Sequence, residues 1–124
     1  MRKFAILLVL TLTALPLFAT EYVQTSLGET LRLVGTAAAP RVVERVNPVT
    51  PPIALKAKME GLVRLAVLVD AKGNVAEVKV AEGKWGPLND AATSAVSRWK
   101  YEPAIVDGRP VPVLIDVHVI FSLR

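Results

Sequence analysis

Val111-Pro112-Val113-Leu114-Ile115-Asp116-Val117-His118-Val119-Ile120-Phe121-Ser122-Leu123 is the stretch that decides the fold. Val111, Val113, Ile115, Val117, Val119, Phe121 and Leu123 take every second position, with Pro112, Leu114, Asp116, His118, Ile120 and Ser122 between them. Side chains alternate across a strand, so this pattern makes one fully apolar face, and a helix cannot produce a strict two-residue period. The reading is a strand of about 13 residues that runs nearly to Arg124.

Working back along the chain, Val106-Asp107-Gly108-Arg109 reads as a turn, and Pro103 cannot continue a helix. Leu88, Ala91, Ala92, Ala95, Val96 and Trp99 form one stripe of a 3.6-residue period, which predicts a helix opened by Pro87. Asp90 suits the positive end of its dipole, and Arg98 and Lys100 suit the other. Gly61–Val69 and Val75–Ala81 read as a hairpin joined by Asp70-Ala71-Lys72-Gly73. Thr50-Pro51-Pro52 opens a short helix through Lys58, with Thr50 as the cap and Gly61 as the stop. The order helix, strand, strand, helix, strand predicts an α+β fold: a three-stranded antiparallel sheet with two helices packed on one face. Leu62, Leu68, Leu114 and Ile120 fall on its nominally outer face, which predicts a cover, a dimer or a partner there.

The other end has a different character. Arg2 and Lys3 precede an apolar run from Phe4 to Phe18, and Ala19 offers a small residue for cleavage, the layout of a Sec-type secretory signal. The run spans roughly 22 Å as a helix at ~1.5 Å per residue, short of the ~30 Å of a bilayer core. Residues 1–19 are thus expected to be a signal peptide, with a short N-terminal anchor as the alternative. The protein would then be periplasmic, or anchored in the inner membrane facing the periplasm. Residues 20–41 read as a linker with room for a short strand around Glu29–Leu33, and residues 42–124 as the folded domain.

Composition excludes several classes of function. The chain has no cysteine, so disulfides, thiolate metal sites and a thiol nucleophile are ruled out. The formal charge of +4 falls to +2 without Arg2 and Lys3, and no basic run remains, so nucleic acid is not an expected partner. Asp116, His118 and Ser122 share a strand face, yet His118 and Ser122 stand about 14 Å apart at ~3.4 Å per residue. A nucleophile and its base need ~3 Å, so no catalytic set is expected and the chain is not read as an enzyme. One histidine cannot build a histidine-rich metal site, Asp70–Asn74 lacks the ligands of a calcium loop, and no glycine-rich phosphate cradle occurs, so no metal or cofactor is expected. Trp99 and Tyr101 could form a peptide ledge, but an aromatic on a helix stripe reads first as core; Trp85, in a glycine-rich loop, is the more exposed contact candidate.

Pro51 and Ala54, Gly61 and Val63, Asp70-x-x-Gly73-x-Val75, Leu88-x-x-Ala91-Ala92, Trp99-Lys100-Tyr101-Glu102-Pro103, Asp107-Gly108 and Phe121 occur in that order. The ordered set resembles the TonB C-terminal domain over about Val42 to Leu123, most specifically in the Trp-Lys-Tyr-Glu-Pro run. The resemblance implies a periplasmic adaptor that grips a plug-side segment of outer-membrane TonB-dependent transporters, or another envelope protein, by adding it as a strand beside its own last strand. An edge strand supports such pairing on physical grounds, because its N–H and C=O groups are free to bond another chain. The partner-binding residues so implied are Val113, Ile115, Val117, Val119 and Phe121, with Pro48, Thr50 and Pro51 before the first helix. Asn47-Pro48-Val49-Thr50-Pro51 departs from the family's Gln-Pro-x-Tyr-Pro, and the apolar run lacks the His and Ser of motor-coupled members. A stand-alone TonB-like domain fits these departures. The alternative is a structural envelope protein that self-associates, last strand to last strand, as a homodimer with no transport role. A membrane contact is expected only if the N-terminal segment is uncleaved.

Overall fold

The computed structural model describes residues 21–33 and 40–123; the signal or anchor expected over residues 1–19 lies outside them. The elements are β1 (Glu21–Thr25), β2 (Gly28–Arg32), β3 (Val42–Glu44), α1 (Pro52–Lys56), β4 (Gly61–Val69), β5 (Val75–Gly83), α2 (Gly86–Val96), β6 (Lys100–Tyr101), β7 (Ala104–Val106), β8 (Arg109–Val111) and β9 (Val113–Phe121).

The alternating stretch forms β9, which pairs antiparallel with β4 along its whole length, from Gly61 opposite Phe121 to Val69 opposite Val113. The other side of β4 carries β5. Val63, Leu65, Val67 and Val69 of β4 and Val113, Ile115, Val117, Val119 and Phe121 of β9 share one face. Against it pack Ala54 of α1, Leu88, Ala92 and Val96 of α2, and Trp99 and Tyr101 beyond α2. Each large side chain fully buried here stabilises the fold by roughly 1.5–3 kcal/mol.

The sheet is larger than the three strands expected. Its order is β1-β2-β9-β4-β5. The stretch read as a linker holds an antiparallel hairpin, and β2 joins β9 in parallel at Leu31–Val113 and Arg32–Leu114. The last strand is therefore interior at its start rather than a border throughout. That hairpin also accounts for part of the outer face. Leu68 is only 2% exposed and Leu114 is half-buried, whereas Leu62 (46%) and Ile120 (75%) stay open at the other end.

Three local expectations are corrected. β9 has nine residues, not thirteen: it starts after Pro112, which has no amide hydrogen to continue a ladder, and ends at Phe121, opposite the first residue of β4. The residues before Pro112, Arg109–Val111, fold back on Ala104–Val106 instead. Asp107 (φ 52°) and Gly108 (φ 77°) make that turn, the two positive-φ positions of a type I′ hairpin. Thr50 does not cap α1, since the helix starts one residue later and Pro51 occupies the cap position with no side-chain bond. The helix is closed by Lys58 at φ 54°, not by Gly61. Met59 N–H donates to the Ala54 carbonyl at 2.9 Å and Lys58 N–H to the Leu55 carbonyl at 3.3 Å, the bonding of a Schellman closure.

Candidate partner-binding edge

In a strand, each residue's N–H and C=O point to one side and the next residue's to the other. Leu31 N–H donates to the Pro112 carbonyl at 3.3 Å and Leu33 N–H to the Leu114 carbonyl at 3.0 Å. Pro112 and Leu114 therefore direct their carbonyls away from β4, and the same parity directs the backbone groups of Asp116, His118 and Ile120 away from it. Among the described residues, no strand pairs with β9 on that side beyond Leu114. Among the described residues, the edge is thus filled at its beginning and open from Asp116 to Ile120.

A hollow of about 310 Å³ lies beside the open part, with Arg41, Arg45, Trp99, Tyr101, Asp116 and His118 in its wall. Its far side is built by β3 pairing with β6, extended by a bond from Glu102 N–H to the Arg41 carbonyl at 2.9 Å. The Trp99 indole Nε1 donates to the Val46 carbonyl at 2.7 Å. The Arg45 guanidinium lies 4.8 Å from the centre of its ring, within cation–π range. Burial pushes the Tyr101 phenol up to about 12, against a smaller lowering by Arg45. The wall is therefore cationic and aromatic, and Tyr101 stays neutral in it at ordinary pH.

The outer side of the edge is different. Leu62 lies opposite Ile120, Arg64 opposite His118 and Ala66 opposite Asp116. Arg64 bonds Glu82 through Nε at 3.3 Å and stands 4.0 Å from an Asp116 carboxylate oxygen through Nη1. A strand laid along the edge would place one set of side chains toward the hollow and the alternate set beside exposed Ile120.

The side chains of Val113, Ile115, Val117, Val119 and Phe121 face the core and are at most 8% exposed. Their backbone groups point to β4. On β9 it is the alternate residues that have backbone groups to offer, a choice the apolar pattern alone does not make. Pro48, Thr50 and Pro51 are half-buried ahead of α1 and do not line the hollow. Trp99 is core, as its stripe position suggested. Trp85 is only half-buried and packs against the core, with its indole N–H on the Glu60 carbonyl at 3.3 Å. Arg41 and Arg45 were not singled out, because in the sequence they only bracket Glu44 and make no basic run.

Residues 46–123 match the family described as Gram-negative bacterial TonB protein C-terminal. The chain belongs to this family. Among curated relatives it is similar to Protein TonB of Vibrio cholerae, 34% identical over 81 residues, and to Protein TonB of Xanthomonas campestris pv. campestris, 38% identical over 78 residues. These matches cover 64% and 62% of this chain but 33% and 35% of the relatives, so the chain spans about a third of their length. In structure it is similar to the TonB2 protein of Vibrio anguillarum, with a TM-score of 0.54 at 32% identity over 73% of this chain and 87% of that one. The Pseudomonas aeruginosa TonB C-terminal domain, seen by solution NMR, gives a TM-score of 0.56 at 21% identity over 73% and 91%, a likeness of fold alone. Within this TonB-family chain, the β1–β2 hairpin and β3 precede the matched residues.

Proposed function

We propose that this chain is a periplasmic partner-binding protein of TonB-dependent transport. It takes up an extended segment of an outer-membrane transporter, or of another envelope protein, as a strand added to β9. Residues 1–19 export it, or anchor it in the inner membrane facing the periplasm. The observation that carries the reading is the backbone of Asp116, His118 and Ile120, directed away from β4 with no strand on it among the described residues. Main-chain bonds along such an edge supply affinity, and the flanking side chains supply selectivity. Val113, Ile115, Val117, Val119 and Phe121 serve by holding the strand rigid from the core side, while Pro48, Thr50 and Pro51 present a second contact ahead of α1. The reading contains no catalytic step, metal or cofactor.

Titrating the isotopically labelled chain with peptides from transporter plug termini tests it. The amides of Asp116, His118 and Ile120 should shift together; no shift at millimolar peptide, about −4 kcal/mol of binding, rejects the transporter partner. Self-association uses the same edge, with two β9 strands antiparallel around His118. Sedimentation separates the two readings, since a concentration-dependent dimer favours the homodimer and a monomer at high concentration excludes it.

A further inference from the structure

The filled part of the β9 edge is filled by this chain's own β2, and the seam is short. β4 is in register with β9 from end to end, whereas β2 meets it only at Leu31–Val113 and Arg32–Leu114. β1, on the far side of β2, completes the hairpin and is the last strand of the sheet. Two of the hairpin's hydroxyl side chains, those of Thr25 and Thr30, bond within it. Thr25 Oγ1 and Thr30 Oγ1 are 2.7 Å apart, Thr30 Oγ1 donates to the Gly28 carbonyl at 3.1 Å, and Leu27 N–H donates to Thr25 Oγ1 at 3.1 Å. From this segment only Leu33, with Leu31 partly buried, reaches the main core. The unit can therefore leave β9 with its internal bonds intact, and the family's matched residues, 46–123, keep nearly all of the core without it. Its departure would free the Pro112 and Leu114 carbonyls and uncover Leu68, which lines one groove with Val23, Gln24 and Thr25 of the hairpin.

We infer that the β1–β2 hairpin is a displaceable guard on the partner edge: it holds the start of β9 until an incoming strand long enough to run the length of β9 takes its place. The inference rests on the strand-addition reading and adds a regulatory step to it. An incoming strand replaces β2's backbone bonds like for like, so exchange loses little, while the closed hairpin lowers apparent affinity in proportion to its population.

The chain has no cysteine of its own, so a single engineered disulfide is unambiguous. Arg32→Cys with Leu114→Cys joins an in-register pair across the seam. With a plug-terminus peptide long enough to span Pro112–Ile120 as the probe, the oxidised variant should bind about tenfold more weakly, or worse, than the same variant reduced. Equal affinity in the two redox states overturns the guard. If the peptide binds neither parent nor variant, the strand-addition reading fails, and hydrogen exchange on the unaltered chain decides the hairpin's own behaviour. The Leu31 and Leu33 amides should exchange about a hundredfold faster than those of Leu65 and Val67, as expected of a unit that opens alone. Equal protection would show a hairpin that opens only with global unfolding, and would overturn the guard on its own.

Discussion

Gly73 accepts the Tyr101 amide hydrogen through its carbonyl at 2.8 Å, and a side chain built on Gly73 would run into the Tyr101 carbonyl. The turn of the β4–β5 hairpin is thereby docked on the strand that follows α2. Gly73 also has φ +91°, so Ala there meets both strain and a collision. Gly73→Ala should cost about 2–4 kcal/mol. Gly108→Ala, at φ +77° with nothing near, should cost only about 1–2 kcal/mol. Denaturant midpoints of the two variants give the comparison, and equal losses would remove the collision from the account.

Lys58 closes α1 in the left-handed region at φ 54°, where a side chain is unfavourable and glycine is at ease. Lys58→Gly should therefore stabilise the fold by up to about 1 kcal/mol, unlike most substitutions. Thermal unfolding of the variant would show a raised midpoint; a lowered one would mean that the Lys58 side chain makes contacts worth more than its backbone strain.

The parity of β9 gives neighbouring residues opposite sensitivities. Val117→Pro deletes an amide that faces β4, and should destabilise by about 3 kcal/mol or more. His118→Pro deletes one that faces the open edge, a position where a strand tolerates proline. It should leave a folded chain that no longer takes up peptide. Circular dichroism and peptide titration on both variants check this, and a His118→Pro chain that binds normally would contradict pairing at the edge.

Tyr101 links stability to alkaline pH. Burial, offset in part by Arg45, raises its folded pKa from 10.0 to about 12. The folded state thus keeps a proton that the unfolded chain loses. The contribution is intact below pH 10 and is lost as pH climbs through about 12, roughly 2–3 kcal/mol in all. Unfolding free energies measured across that window should fall for the parent chain and fall less for Tyr101→Phe.

The strong periodicities were legible in the residues: β9, β4 and α2 each bury the stripe that their spacing marks. Of the hairpin β1–β2 only the weakly alternating second strand, around Glu29–Leu33, was legible; β1 and the brief tie to β9 were not, because no local pattern encodes them. The hairpin's docking was nonetheless foreshadowed by Leu68 and Leu114, apolar residues on a face that a bare three-stranded sheet would leave wet. The bonding side of β9 could not be read either. Chirality locks the apolar face to the bonding parity only once the side occupied by β4 is known. Arg41 and Arg45 escaped for a related reason: they reach the edge through β3 pairing with β6, a contact between segments more than fifty residues apart.

The chain's two tryptophans each set the indole N–H on a backbone carbonyl and the ring near a cation, but in different places. The Trp99 ring is clamped between the Val46 carbonyl and the Arg45 guanidinium in the wall of the hollow, while Trp85 bonds Glu60 elsewhere. A segment that settles along the open backbone should alter the water and charge around Trp99, which lines the hollow beside it, whereas Trp85 does not line that hollow. On the strand-addition reading, the molecule thus carries an intrinsic fluorophore beside the docking position. In Trp85→Phe protein, the emission of the remaining indole alone should follow occupancy in real time, without a label.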